Sequence, residues 1–251
     1  MKKVIVVSDS FKGTLSSKEI CAIARETVAQ CFPDYRLVTI PVADGGEGTV
    51  DCFAEALRAE TVKLTVQGPF GEATEAAYCR KDKLAVIEMA AAAGLPLAGE
   101  RRDPSLASTY GVGELMRHAI EQGAEELLLG LGGSATNDGG CGAAAALGVR
   151  FLDREGQSFI PVGGTLHRIA DIDTSTADAL LRSVRVKVMC DVDNPLYGEH
   201  GAARVFAPQK GADAAMAERL DEELRAFDKI LQSSLGISLA DIPGSGAAGG
   251  R

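Results

Sequence analysis

The sequence predicts an α/β fold in which a parallel sheet gives way to a mixed one, and three observations carry that reading. Strand and helix alternate twice over residues 3 to 58; closely spaced strands follow with no room for helices between them; helix and strand alternate again from Thr109. At about 150 residues per domain, 251 residues allow one large or two modest domains.

Lys3 to Val7, apolar from Val4 onward, reads as a buried strand. Ser16 and Glu19 form a capping box, and the helix it opens is expected to bury Ile20, Ile23, Ala24, Thr27, Val28 and Cys31 as one stripe. Arg36 to Val42 is a second strand, the loop Asp44 to Gly48 follows, and a helix then carries Val50, Phe53, Ala54 and Leu57. Val62 to Gln67, Ala73 to Arg80 and Leu84 to Met89 are strands, the first two joined by the turn-like Gly68-Pro69-Phe70-Gly71, so antiparallel pairing is expected. Val112 to Ile120 reads as a helix, Glu126 to Leu131 as a strand, Gly142 to Leu147 as an alanine-rich helix and Val184 to Cys190 as another buried strand. Asp213 to Leu235 is amphipathic, with Met216, Leu220, Leu224, Phe227 and Leu231 on one face and charged residues on the other.

Composition excludes several classes. Apolar residues are 46% and charged residues 24% of the chain, the usage of a globular protein and not of a disordered one. A net charge of -9 argues against a nucleic-acid partner held by a broad basic face. An anionic ligand would need local positive charge, because the overall field repels it. No apolar run reaches the ~18 residues of a membrane span and no signal peptide opens the chain, so a cytoplasmic protein without a membrane partner is expected. Six cysteines without a C-x-x-C pair suggest free buried thiols in a reducing compartment.

Predicted strands run into acids at Asp9, Asp44, Asp138 and Asp191, and ligands of open α/β sheets sit just beyond the carboxyl ends of strands. Any single one is explained as a helix cap; four together suggest a magnesium site or a general base beside one. The loop Gly132-Gly133-Ser134-Ala135-Thr136-Asn137-Asp138-Gly139-Gly140 offers bare amides and hydroxyls to an anion, with close backbone packing as the equal alternative. Asp44-Gly45-Gly46-Glu47-Gly48 has the same form, but its carboxylates would oppose a bare phosphate. Lys12 and Lys210, each before a glycine in an acidic chain, are candidate point charges on a phosphate or carboxylate. Asp191-Val192-Asp193 after an apolar strand looks like the nucleophile motif of haloacid-dehalogenase phosphatases, although Asn194-Pro195 departs from it. His118, His167 and His200 share no spacing that suggests a metal or a triad.

Taken together, Asp9-Ser-Phe-Lys-Gly-Thr-Leu-Ser-Ser17, Pro41-Val-Ala-Asp-Gly-Gly-Glu-Gly-Thr49, Ser108-Thr-Tyr-Gly-Val-Gly113, Leu131-Gly-Gly-Ser-Ala-Thr-Asn-Asp-Gly-Gly140, Asp191-Val-Asp-Asn-Pro-Leu-Tyr-Gly198 and Phe206-Ala-Pro-Gln-Lys-Gly211 resemble the bacterial type I glycerate kinase family over the whole chain. The resemblance implies a Rossmann-like parallel-sheet domain, begun by residues 1–66, and a second, inserted α/β domain with a mixed sheet, residues 67–251. It also implies further α/β units after the glycine-rich end that complete the first domain. The chain as given is therefore expected to expose apolar surface on an incomplete sheet and to be weakly active or inactive alone.

The same resemblance implies ATP and Mg2+ as cofactors and D-glycerate as substrate, phosphorylated on the 2-hydroxyl, with homodimerisation compatible. Phosphorylation of the 3-hydroxyl, an Asp191 phosphatase and a non-catalytic sugar-acid binder are the alternatives. Asp191 or Asp44 would be the base, and Lys12 and Lys210 the neutralising charges. Gly132, Gly133, Ser134, Thr136 and Asn137 would hold the nucleotide phosphates; Ser10, Gly45, Gly46 and Glu47 would bind substrate; Asp9, Asp138 and Asp193 would hold metal.

Overall fold

The computed structural model describes residues 2–11 and 14–250. In chain order its elements are β1 (Lys2–Ser8), α1 (Ser17–Cys31), β2 (Tyr35–Pro41), α2 (Thr49–Leu57), β3 (Glu60–Gln67), β4 (Ala73–Lys81), β5 (Leu84–Glu88), α3 (Ala90–Ala93), α4 (Leu95–Ala98), α5 (Tyr110–Glu121), β6 (Glu126–Gly130), α6 (Cys141–Ala146), β7 (Arg150–Leu152), β8 (Ser158–Phe159), β9 (Asp171–Asp173), α7 (Ser175–Leu181), β10 (Arg185–Met189), α8 (Ala202–Phe206) and α9 (Ala214–Leu235). The fold is mixed α/β, as the alternation of strand and helix predicts.

β1 and β2 pair in parallel, Lys2 opposite Tyr35 through Ser8 opposite Pro41. The capping box is present: Ser16 Oγ accepts from the Glu19 amide, and the Glu19 carboxylate accepts from the Ser16 amide at 2.8 Å. The buried stripe of α1 is rotated from the expected one. Ser17 and Cys21 are enclosed and Ala24 and Val28 half-buried, whereas Ile23, Thr27 and Cys31 face outward. Ser17 decides the rotation, because its hydroxyl donates to Ser8 O at 2.6 Å and accepts from the Val42 amide, tying α1 to the ends of both strands. With α1 on one face, the other face leaves Ile5 and Val7 55% and 58% exposed and Ile40 beside them.

The second sheet has five strands in the order β10-β6-β5-β4-β3. β3, β4 and β5 are antiparallel, as the short turns between them require; β5, β6 and β10 are parallel. β3 lies at one edge of this sheet, although its residues 60–66 precede the expected boundary. β10 is the other edge and is not the buried strand expected: Val186 and Val188 are 39% and 37% exposed, and Arg185 and Lys187 pair with Glu126 on the neighbouring strand. An apolar run is shared by central and edge strands, so periodicity alone did not separate them. The main core lies between this sheet and α3 and α5, with Tyr78, Ile87, Val112, Leu115 and Leu127 sealed from solvent.

A second core joins α6, α8 and α9 to the small sheet β8-β7-β9, for which the sequence reading had no element. α9 buries Leu220, Leu224, Phe227 and Leu231 as expected. Its polar side is not purely surface, because Asp221 and Asp228 are also enclosed. Asp221 accepts from the Gly198 amide at 2.6 Å, and Asp228 from the Leu239 amide and the Ser238 hydroxyl. All six cysteines are free; Cys21, Cys79 and Cys141 are buried, and Cys31, expected inside, is exposed.

Candidate functional site

The parallel strands β5, β6 and β10 end at one level, with Glu88 and Met189 on either side of Gly130. Three loops leave that level: 131–140 after β6, 190–198 after β10 and, laid across them from the other sheet, 44–48. Gly45 packs against Gly130 and Met189, and the Gly132 amide donates to Gly45 O at 3.0 Å. A Cβ on Gly132 would lie 2.7 Å from the Gly46 Cα, so the two glycine loops meet backbone to backbone with no room for side chains. Gly45 and Gly133 also have φ of 91° and 75°, which glycine adopts without strain.

A cavity of about 160 Å3 opens at this junction, lined among others by Asp44, Gly132, Gly133, Ser134, Asp191 and Lys210. The structure thus gathers two of the acids read as bases, one of the lysines and part of the glycine loop, from four separate stretches of chain. The Asp44 carboxylate also accepts from the Gly46 amide at 3.0 Å, holding its own loop.

Lys210 is 2% exposed, and its ammonium donates to Ser134 Oγ at 2.9 Å and Thr136 O at 2.6 Å. Burial drives its pKa down to about 7, partly offset by the charge of Asp138. Ser134 and Thr136 both donate to Ala248 O, and the Gly139 amide donates to Gly249 O. The glycine-rich residues 244–250 are therefore packed on the glycine loop.

Asp138 is enclosed. It accepts from the amide and hydroxyl of Thr109, both at 2.8 Å, and from the amides of Gly140 and Gly142. Burial raises its pKa and these hydrogen bonds oppose the rise. The carboxylate is a staple between the loop and the start of α5. Asn137 is buried, and neither heteroatom of its amide has a hydrogen-bond partner among the described residues.

Other candidates lie elsewhere. Asp9 follows β1, where its carboxylate accepts from the Ser10 amide at 2.6 Å, and Asp193 is exposed in the 190–198 loop. Among the described residues no three His, Cys, Asp or Glu side chains form a group that could hold a metal, so Asp9, Asp138 and Asp193 are not gathered into one. Ser10 and Glu47 line a different and larger cavity of about 640 Å3, between the first turn of α1, α2 and the ends of β4 and β5. That cavity carries Glu19, Glu47, Asp51, Glu55, Glu75 and Glu88 against Lys18, an excess of negative charge that repels anions, so the smaller cavity with Lys210 is the better site for a carboxylate or phosphate. Lys12 lies outside the described residues. No helix among the described residues is long and apolar enough to cross a membrane.

One residue at this junction was missed. Glu88, at the end of β5, is 9% exposed, and its carboxylate accepts from the Val50 amide at 2.9 Å and the Gly48 amide at 3.4 Å. Its position, an acid closing an apolar strand, is the same signal that drew attention to Asp9, Asp44 and Asp191.

Residues 4–251 match the glycerate kinase family. The chain is 46% identical to a glycerate kinase of Bacillus cereus over 251 residues, covering 99% of this chain and 66% of that protein. It is 43% identical to the glycerate 2-kinase of Escherichia coli K12, again over 99% of this chain and 66% of the relative. A crystal structure from Salmonella typhimurium LT2, named provisionally as a glycerate kinase 2, superposes with a TM-score of 0.87 at 41% identity, over 100% of this chain and 68% of that one. The chain thus spans about two thirds of the length of these relatives. Strand ends, paired glycine loops and these likenesses agree: the chain belongs to the glycerate kinase family.

Proposed function

We propose that the protein is a kinase that transfers the γ-phosphate of ATP to D-glycerate, on the 2-hydroxyl. The observation that carries this reading is the convergence of Asp44, Asp191, Ser134 and Lys210 on one cavity at the carboxyl ends of parallel strands. Phosphoryl transfer needs charge neutralisation and in-line placement more than covalent catalysis, and these groups would supply the charges. The name of the Escherichia coli relative supports the 2-hydroxyl.

At about 160 Å3 the cavity suits a three-carbon acid or a phosphoryl group; nucleotide-sized ligands take roughly 300–1,000 Å3, so the adenosine would lie outside it. Lys210 faces the anion. With a pKa near 7 its charge is poised, and an anionic group beside it raises the pKa and holds the ammonium form. Asp44 or Asp191 accepts the proton of the attacking hydroxyl.

Magnesium is characteristically held by one or two carboxylates together with substrate phosphates, and Asp44 and Asp191, which line the same cavity, fit that demand. When bound, it would neutralise phosphate charge. Several amides of the glycine loop are already committed, those of Gly132, Ala135, Gly139 and Gly140 to protein acceptors. The Ser134 hydroxyl is likewise committed to Ala248 O, whereas the Lys210 ammonium has three N–H groups and two protein acceptors, so Lys210 is the better assigned anion contact within this loop system.

The test is product identification by phosphorus NMR after incubating the full-length enzyme with ATP, magnesium and D-glycerate. Formation of 2-phosphoglycerate with matched ADP release is expected. A product phosphorylated at the 3-hydroxyl overturns the regiochemistry, and preference for an unrelated sugar acid overturns the substrate.

A further inference from the structure

The residue before α2 is Gly48, which has φ of 90° and no side chain, so the helix has no side-chain cap of its own. The first amides of a helix still need acceptors, especially where they are removed from water. Glu88 supplies one from another sheet. Its carboxylate reaches the amides of Gly48 and Val50 across 40 and 38 residues of sequence, and a negative group there also complements the helix dipole. The helix start is in turn joined to the site. The Thr49 hydroxyl donates to Gly46 O at 2.7 Å, and the Gly46 amide donates to Asp44 at 3.0 Å. Glu88 itself is fixed, because β5 is paired with β6 up to Glu88 opposite Gly130, the residue on which Gly45 rests.

We propose that Glu88 is a positioning residue that holds the 44–48 loop, and through it Asp44, in register with the strand ends of the five-stranded sheet. Its effect on catalysis rests on the glycerate kinase reading; its effect on the loop does not. Burial raises the Glu88 pKa, and the two amide hydrogen bonds counter that rise. Misplacement of a reacting group by about 1 Å is worth roughly a hundredfold in rate.

The experiment has two arms, using Glu88→Ala and the isosteric Glu88→Gln, which keeps one acceptor should the alanine variant fold poorly. In the first arm, hydrogen exchange of the purified protein should show the Gly48 and Val50 amides exchanging at least about tenfold faster than wild type, while amides of β6 stay protected. Unchanged exchange in a folded variant overturns the proposal whether or not the protein acts on glycerate. In the second, kcat should fall on the order of a hundredfold with KM within about threefold, and adding Asp44→Asn should lower it little further, because both changes act on one group. Normal kcat despite a loosened loop, or losses that simply multiply, overturns the link to Asp44. If wild type leaves glycerate unphosphorylated while the exchange arm succeeds, the function is wrong and the loop assignment stands.

Discussion

The Lys210 ammonium lies 2.9 Å from the Ser134 hydroxyl, which in turn donates a hydrogen bond to Ala248 O, so one buried cation joins the glycine loop to the segment 244–250. A charge with two hydrogen bonds and, among the described residues, no carboxylate bonded to it is expensive to bury. That cost makes it sensitive to pH and to anions.

Lys210 is protonated in the unfolded chain up to about pH 10.5 but loses its proton near pH 7 when folded. Between these values the unfolded state binds more protons, so stability should rise with pH. Relative to Lys210→Met, wild type should gain up to about 1.4 kcal/mol per pH unit from pH 7 to 9, measured by urea unfolding. Above pH 9 the trend for both proteins should turn down. Burial holds the Cys79 thiol up to about 11 and Cys141 well above its ordinary value, so there the folded state binds more protons. A wild-type-minus-variant difference flat from pH 7 to 9 would mean that Lys210 stays charged in the fold.

Removing either candidate lysine should cost catalysis more than folding. Lys12→Ala and Lys210→Ala are each expected to lower kcat/KM about a hundredfold, the scale of one lost transition-state contact. Near-normal kinetics in both would return them to ordinary charges.

Asp138→Ala leaves the buried amides of Thr109 and Gly142 and the half-buried amide of Gly140 without their acceptor. At roughly 1–3 kcal/mol for each stranded donor, with relaxation recovering part, a loss on the order of 3 kcal/mol is expected in chemical denaturation. A loss under about 0.5 kcal/mol would show that the staple is dispensable.

Gly132→Ala puts a methyl against the Gly46 backbone, which has no flexible end to move aside. Overpacking of this kind costs about 1–3 kcal/mol, and here it separates the two loops that form the cavity. Turnover with glycerate should fall by at least tenfold while the far-ultraviolet circular dichroism is kept; wild-type turnover would mean that the loops tolerate separation.

Asp191 as a base forms no bond to phosphorus, whereas a phosphatase nucleophile does. Incubation with beryllium fluoride and magnesium should therefore leave Asp191 unmodified in a fluorine NMR spectrum. A stable aspartyl fluoroberyllate there would favour phosphatase chemistry.

The alternation of β1, α1, β2 and α2, the Ser16–Glu19 capping box, the antiparallel strands around Gly68 to Gly71 and the apolar stripe of α9 were all legible in the sequence. Each depends on residues a few positions apart, where periodicity and local hydrogen bonding act directly. So were the acids at strand ends, because a chain leaving an apolar strand must turn polar where it meets solvent. Tertiary structure decided the rest. Which face of α1 is buried follows from Ser17 bonding to Ser8 and Val42; the exposure of β10 follows from its being an edge; and the need for glycine at 132 follows from Gly46, 86 positions away along the chain. Asp221 and Asp228 read as surface charges until the loops at 198 and 239 come down on them. Glu88 is the sharpest case. Its role lies in amides 38 and 40 residues distant, and a backbone amide leaves no mark in a sequence to say that it lacks a partner.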